Sequence, residues 1–227
     1  MPEPTLPAPP AGPRPSEAIA VPTLLASAIT AVAGYVDAVG FAHMGNLYLS
    51  FMSGNSTRLG LALGEARLDA MASAAAVIGL FVLGAVLGTL LGDALPSRRI
   101  SATLAAETLL FALGAGLLVA GIGFPALLPL AAAMGMQNTI HQTVHGADIG
   151  KSFVTGALFS LGQSLALALR GRASAGTCAF YALSWALFVT GAALGATLLI
   201  RVGLEMAVAG AGAALLLLGL LAAWKRL

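Results

Sequence analysis

Residues 34–37 read GYVD, and residues 50–55 read SFMSGN. The second half of the chain repeats this order, with GMQN at residues 135–138 and SFVTGA at residues 152–157. The kept order indicates an internal duplication. In a membrane chain, two halves that each carry a polar helix broken at glycine predict a transport site between the halves.

The composition places the chain in the membrane class. Hydrophobic residues make up 59% and charged residues 9% of the 227 residues, whereas soluble domains carry about 25% charged residues. The mean hydropathy is +0.94. The net charge of +2 is small and is spread over loops and helix ends, so we expect no nucleic-acid partner. The single cysteine, Cys178, allows neither an intrachain disulfide nor a thiolate metal cluster, and no cofactor is predicted.

The apolar segments predict an all-α, polytopic membrane fold in contact with a lipid bilayer. They cover residues 20–45, 54–64, 71–95, 101–122, 125–147, 154–169, 175–200 and 205–224. The second and sixth are too short for the roughly 20 residues that a crossing needs, so each is interpreted as a broken or half helix. The proline-rich residues 1–19 predict a disordered tail, and residues 20–227 a single membrane domain. Within that domain, repeat one covers residues 20–122 and repeat two residues 125–224.

The loop charges favour six net crossings with both termini in the cytoplasm. If each broken pair makes one net crossing, most Arg and Lys residues fall on the cytoplasmic side, and Arg67 and Arg201 fall outside. If all eight segments cross, Arg98, Arg99 and Lys151 fall outside together with Arg201. The positive-inside rule therefore predicts two inverted, pseudo-symmetric repeats.

Glycines at a spacing of four recur in both halves, since FVLGAVLG at residues 81–88 returns as FVTGAALG at residues 188–195. Such glycines lie on one helix face and allow close approach of another backbone. We expect packing within the chain, and a homodimer interface is the alternative.

Asp37 is the first candidate for a functional residue, because both of its flanks are apolar. A carboxylate at membrane depth costs on the order of 3 kcal/mol, so it usually faces a cavity or a partner. One interpretation is a substrate-binding carboxylate that also carries a proton. The other is a hydrogen-bond anchor that caps the broken helix of the other half. The matching residue of repeat two is Asn138, which cannot titrate, so only Asp37 could carry a proton.

The starts of the two short helices supply the remaining predicted binding groups. Ser53, Gly54 and Asn55 in repeat one, and Thr155 and Gly156 in repeat two, present hydroxyls, backbone N–H groups and an amide. A helix N-terminus carries about half a positive charge, so two such ends would suit an anion or a carbonyl-bearing solute. The alternative is that Ser53 and Thr155 only cap their helices.

The polar run around Gln137 is too polar to face lipid, so Gln137 joins the predicted binding residues. His141 and His145 have the spacing of a metal pair, but no second ligand cluster accompanies them, and no metal site is predicted.

Two further charged residues have open roles. Arg58 follows Gly54 by four residues, and its alternatives are to attract an anion, to pair with Asp37 or to extend toward the membrane interface. Glu107 either pairs with Arg98 or Arg99 or faces a helix interface.

The motifs at residues 34–41, 52–57, 135–138 and 154–156, in this order, resemble the YoaK family of small bacterial inner-membrane proteins. Family members usually have Thr where this chain has Ser53, which keeps the hydroxyl. The resemblance extends over about residues 20–224 and implies a polytopic protein of about six helices in the bacterial inner membrane. It implies no substrate and no reaction.

The sequence therefore predicts a transporter or channel for a small polar or anionic solute, with proton coupling through Asp37 as an added feature. The alternative is a non-transporting membrane partner, such as an assembly factor or sensor. An enzyme is not expected, because no nucleophile with a base and no paired carboxylates are visible in the sequence.

Overall fold

The computed structural model describes residues 21–145 and 153–225, and every regular element within these ranges is helical. The tail predicted at residues 1–19 lies outside the described residues. The eight α-helices are α1 Val21–His43, α2 Met52–Gly64, α3 Leu68–Ala94, α4 Arg99–Val119, α5 Leu128–His145, α6 Phe153–Ala168, α7 Ala175–Val202 and α8 Leu204–Trp224. Short 3-10 turns precede α4 and α5.

Four stretches within the described residues are long and apolar enough to cross a membrane, namely Leu68–Ala94, Pro96–Val119, Ala175–Val202 and Leu204–Trp224. Their outer faces carry large exposed apolar side chains such as Leu90, Val119 and Ile200, as expected where lipid is the solvent. The chain is thus an all-α, polytopic membrane protein. Helices α2 and α6 are the short elements expected from the sequence, with 13 and 16 residues.

Three helix pairs make the most extensive contacts between the two halves of the chain. Helix α1 packs along α7, α3 along α5, and α4 along α8. Glycines allow close approach in the α1–α7 and α3–α5 pairs. Each of these glycines faces a backbone carbonyl of the other helix, which an added Cβ would meet. Gly34 faces Phe188, Gly191 faces Ala31, Gly84 faces Ala132, and Gly135 faces Phe81. The glycine motifs therefore serve packing within the chain, as expected.

The same contacts fix the directions of α1 and α7. Ala31 and Tyr35 of α1 lie against Gly191 and Gly195 of α7, so these two helices run parallel.

The remaining two pairs differ in the relative direction of their helices. Gly84 and Gly88 of α3 lie against Ala132 and Met136, so α3 and α5 also run parallel. In contrast, Leu104 and Phe111 of α4 lie against Gly219 and Gly212 of α8, so α4 and α8 run antiparallel.

One of the two alternatives for Ser53 is wrong. As a cap, Ser53 would precede the first turn of α2, but α2 begins at Met52, and its N-cap residue is Phe51, which makes no side-chain cap bond. Ser53 is exposed within the first turn, and its carbonyl accepts a hydrogen bond from the Thr57 hydroxyl at 3.1 Å. Asp37 accepts hydrogen bonds from Leu49 and Ser50, in the loop that leads into α2.

Candidate functional site

Asp37 holds the loop of residues 44–51, which connects α1 to α2. Its Oδ1 accepts hydrogen bonds from the backbone N–H groups of Leu49 at 2.8 Å and Ser50 at 2.6 Å. Its Oδ2 accepts a bond from the Ser50 hydroxyl at 2.7 Å. The carboxylate is only 4% exposed. Asp37 therefore anchors the loop of its own half, whereas the anchoring alternative placed its partner in the other half.

Asn55 holds the same loop from the side of α2. Its Oδ1 accepts a bond from the Tyr48 backbone N–H at 2.8 Å, and its Nδ2 donates to the Tyr48 carbonyl at 2.7 Å. The side chain is fully buried. Because both polar groups of the amide are used within the loop, Asn55 is a structural residue of the site.

Aromatic rings pack around this loop. The Tyr48 ring lies 4.9 Å from the Phe41 ring and 5.2 Å from the Phe51 ring, measured between ring centres. A Cβ on Gly54 would meet the Phe51 ring, so the absence of a side chain at Gly54 makes room for this ring. The loop thus presents a cluster of aromatic rings next to Asp37.

A cavity of about 370 Å³, called here the aromatic cavity, lies between the two halves. The first half contributes Gly34, Asp37, Ala38, Phe41, Tyr48 and Phe51, and the second half contributes Val154, Thr155, Phe188 and Ala192. Of the predicted binding residues, Asp37 and Thr155 line it. The structure therefore brings the carboxylate of the first half of the chain to the first turn of α6 in the second half.

A second, more polar cavity of about 550 Å³ lies on another side of the same loop. Its lining includes His43, residues 44–47 of the loop, Arg58, Arg67, Asp69 and Ser73. The Arg58 guanidinium carbon lies 5.6 Å from the centre of the Phe41 ring, and Phe41 lines the aromatic cavity. Loop 44–51 and the Phe41–Arg58 contact therefore border both cavities.

Arg58 does not pair with Asp37. Within residues 21–145 and 153–225, the ion pair is formed by Arg67 and Glu65 at 2.7 Å on the surface. The loop donors satisfy Asp37, and the Phe41 ring faces Arg58 instead.

The polar residues of α5 lie elsewhere. The amide of Asn138 donates to the carbonyl of Met134 in its own helix at 2.8 Å. Gln137 is buried and donates to Oε2 of Glu107 on α4 at 3.3 Å. Oε1 of Glu107 finds no hydrogen-bond partner in the described part of the chain. Glu107 therefore faces a helix interface, which was one of its two expected roles.

The other predicted residues lie near the site without lining the aromatic cavity. Ser53 is exposed on α2, and Gly156 is half-buried on α6, one residue beyond Thr155. His141 and His145 are on α5, but their side chains lie outside what the structure describes, as does Lys151.

A family of proteins of unknown function, DUF1275, matches residues 25–221 of the chain. The chain belongs to this family. A UPF0700 transmembrane protein, YoaK of Bacillus subtilis strain 168, is 29% identical over 145 residues, which cover 60% of this chain and 64% of that protein. The alignment thus spans less than two-thirds of the relative. No solved structure matches the chain. These matches confirm the resemblance to the YoaK family, and the chain is a multi-pass integral membrane protein.

The residues that the sequence reasoning missed in this DUF1275 protein are the aromatic ones. Among the described residues that line the aromatic cavity, four of ten are aromatic, namely Phe41, Tyr48, Phe51 and Phe188, although aromatic residues are only 6% of the chain. A signal was present, because three of the four cluster within residues 41–51, beside the repeated polar motif.

Proposed function

We propose that this protein moves a small solute across the membrane through the aromatic cavity. The observation that carries the proposal is that both halves line the cavity, with Asp37 on one wall and Thr155 at the start of α6 on another. Transporters commonly place their substrate site near the midplane between two repeats, next to broken helices. The volume of about 370 Å³ also falls within the range of roughly 300–1,000 Å³ for small-molecule pockets.

We infer that the two repeats are inverted. Helices α4 and α8 hold equivalent places in the repeats and run antiparallel. A two-fold axis that exchanges two antiparallel helices lies perpendicular to both, and for membrane-spanning helices this direction is in the membrane plane. An axis that exchanges α1 with α5 and α3 with α7 converts the α1–α7 pair into the α5–α3 pair. These two pairs therefore fit the same axis.

The helix directions support six crossings. Since α1 runs parallel to α7, and α8 returns directly after α7 through Gly203, α8 runs opposite to α1. Helix α4 is antiparallel to α8 and so runs with α1, whereas α3 and α5 run the other way. With the cytoplasmic N-terminus that the loop charges favour, both termini would lie on the cytoplasmic face of the bacterial inner membrane.

Loop 44–51 is the element that would open a path between the aromatic and the polar cavity. Asp37 holds the loop through three hydrogen bonds while its carboxylate is ionised. A protonated carboxyl has one O–H donor and less acceptor capacity, so it would hold the three donors more weakly. Proton uptake by Asp37 would thereby release the loop and couple a proton to the movement of the solute.

The alternative, a non-transporting membrane partner, also has a specific observation in its favour. Asp37, Asn55 and Gln137 make hydrogen bonds inside the protein, as expected of a structural network. It predicts that the space around Thr155 never contacts water from both sides.

Accessibility of Thr155 tests the proposal before any solute is known. In a Cys178→Ser background, Thr155→Cys is placed in sealed vesicles of both orientations and treated with a charged, membrane-impermeant thiol reagent. Alternating access predicts reaction from both sides of the membrane. The matched control is Leu165→Cys on the same helix, which is 50% exposed on an apolar face and should stay unreactive. Reaction from one side only, or from neither, would count against transport.

A further inference from the structure

We propose that the aromatic cavity binds a small organic cation, an ammonium group carried on an apolar body. This inference rests on the proposed function and names the solute class of the same site. It replaces the small polar or anionic solute that was predicted from the N-termini of the two short helices. Three properties of the cavity lining support this inference, namely its aromatic rings, its charge and its apolar walls.

The rings come from both halves. Phe41, Tyr48 and Phe51 surround the loop end of the cavity, and Phe188 of α7 lines it from the second half. All four are half-buried, so each keeps part of its surface exposed. The face of an aromatic ring carries partial negative charge and attracts cations, and several rings around one space are the known recognition mode for quaternary ammonium groups.

The charge of the lining has one sign. Asp37 is the carboxylate in the cavity wall, and the lining residues that fall within the described ranges 21–145 and 153–225 include no Lys, Arg or His. An anion would therefore meet a full negative charge in the wall. The opposing charges are about half a positive charge at the start of α6 and the Arg58 guanidinium, which is not a lining residue but lies 5.6 Å from the centre of the Phe41 ring. Asp37 is 4% exposed and is held by the loop donors, so it would act on a cationic ligand through its charge and not through a direct hydrogen bond.

A cation–π contact beside the cavity shows the same preference for a positive charge within the protein. Arg58 places its guanidinium 5.6 Å from the centre of the Phe41 ring, so a ring of the cavity wall already accepts a cation. The remaining walls are Gly34, Ala38, Val154 and Ala192, which suit methyl and methylene groups.

An isosteric ligand series tests the inference on the full-length purified protein. Choline is the cation, 3,3-dimethylbutan-1-ol its neutral isostere, and 3,3-dimethylbutanoate the anion, and binding is measured by calorimetry in detergent. Choline is expected to bind on the order of tenfold more tightly than the neutral alcohol, with the anion weakest. Equal binding of the three ligands, tighter binding of the anion, or no binding of choline would overturn the inference.

Variants locate the binding. Phe188→Leu should weaken choline binding roughly tenfold, because it removes a ring but keeps an apolar side chain. Phe180→Leu is the matched control on the same helix, since Phe180 makes an edge-on contact with Tyr181, with ring centres 5.5 Å apart, and is not among the residues that line the cavity. Equal loss in both variants would place the binding elsewhere and refute the assignment.

Flux of choline in proteoliposomes separates this inference from the transport proposal. If choline binds with the expected charge order and Phe188 dependence but does not cross, the solute-class assignment holds and transport fails. If the thiol reagent reaches Thr155→Cys from both sides but the ligand series shows no cation preference, transport holds and the organic-cation assignment fails.

Discussion

Replacing Asp37 should release loop 44–51, because this one side chain accepts three hydrogen bonds from it. Asp37→Ala removes the acceptor for the Leu49 and Ser50 N–H groups and for the Ser50 hydroxyl. Hydrogen bonds to a charged group contribute about 1.5–3 kcal/mol each. The two backbone donors alone, at the lower figure, predict that opening of the loop becomes easier by about 3 kcal/mol. This corresponds to an increase on the order of 100-fold in the open population.

Hydrogen exchange of the Leu49 and Ser50 amides measures this population directly. Both amides should exchange on the order of 100-fold faster in Asp37→Ala than in the wild type, because exchange requires the loop to open. Asp37→Asn mimics the protonated carboxyl, so its exchange rates should lie between those of the wild type and of Asp37→Ala. The amide oxygen still accepts from the backbone, but without the charge that strengthens these hydrogen bonds.

The repeat-related residue is the matched control. Asn138 bonds only to the carbonyl of its own helix among the described contacts, so Asn138→Ala should leave exchange in the loop unchanged. Wild-type exchange rates in Asp37→Ala, or an equal increase in Asn138→Ala, would refute the idea that Asp37 holds this loop.

Two further predictions concern the helix interfaces. Gly84→Ala should destabilise the protein by about 1–3 kcal/mol or more, because the added Cβ meets the Ala132 carbonyl, whereas Gly79→Ala on the same helix meets nothing and should be neutral or stabilising. Thermal unfolding in detergent measures both, and equal melting temperatures would contradict the close α3–α5 contact. Gln137→Leu should cost about 1–3 kcal/mol because it leaves Glu107 buried without its partner, and adding Glu107→Leu should recover part of the loss. A double-mutant cycle with no coupling energy would show that the pair does not interact.

The motif positions were predictable from the sequence, but their partners were not. Asp37 and the stretch 50–55 were found because a carboxylate and polar groups are unusual within apolar segments. The sequence left two roles for Asp37, and the bonds to Leu49 and Ser50 depend on how the chain turns back after α1. The same turn uses the amide of Asn55, which was expected to face a solute. Hydrogen-bond partners of this kind are set by loop geometry, which hydrophobic periodicity does not encode.

The sequence by itself determined that this is an all-α membrane protein, because composition and segment length decide whether helices can lie in lipid. It also predicted that the two halves are related. It also indicated the glycine faces, since their spacing of four places them on one side of a helix. Only the tertiary structure decided that α1 pairs with α7 and α3 with α5, which brings Phe188 and Thr155 to Asp37. The reason is physical: a helix face that permits close packing fits several partners, and the choice among them is made by the whole assembly at once.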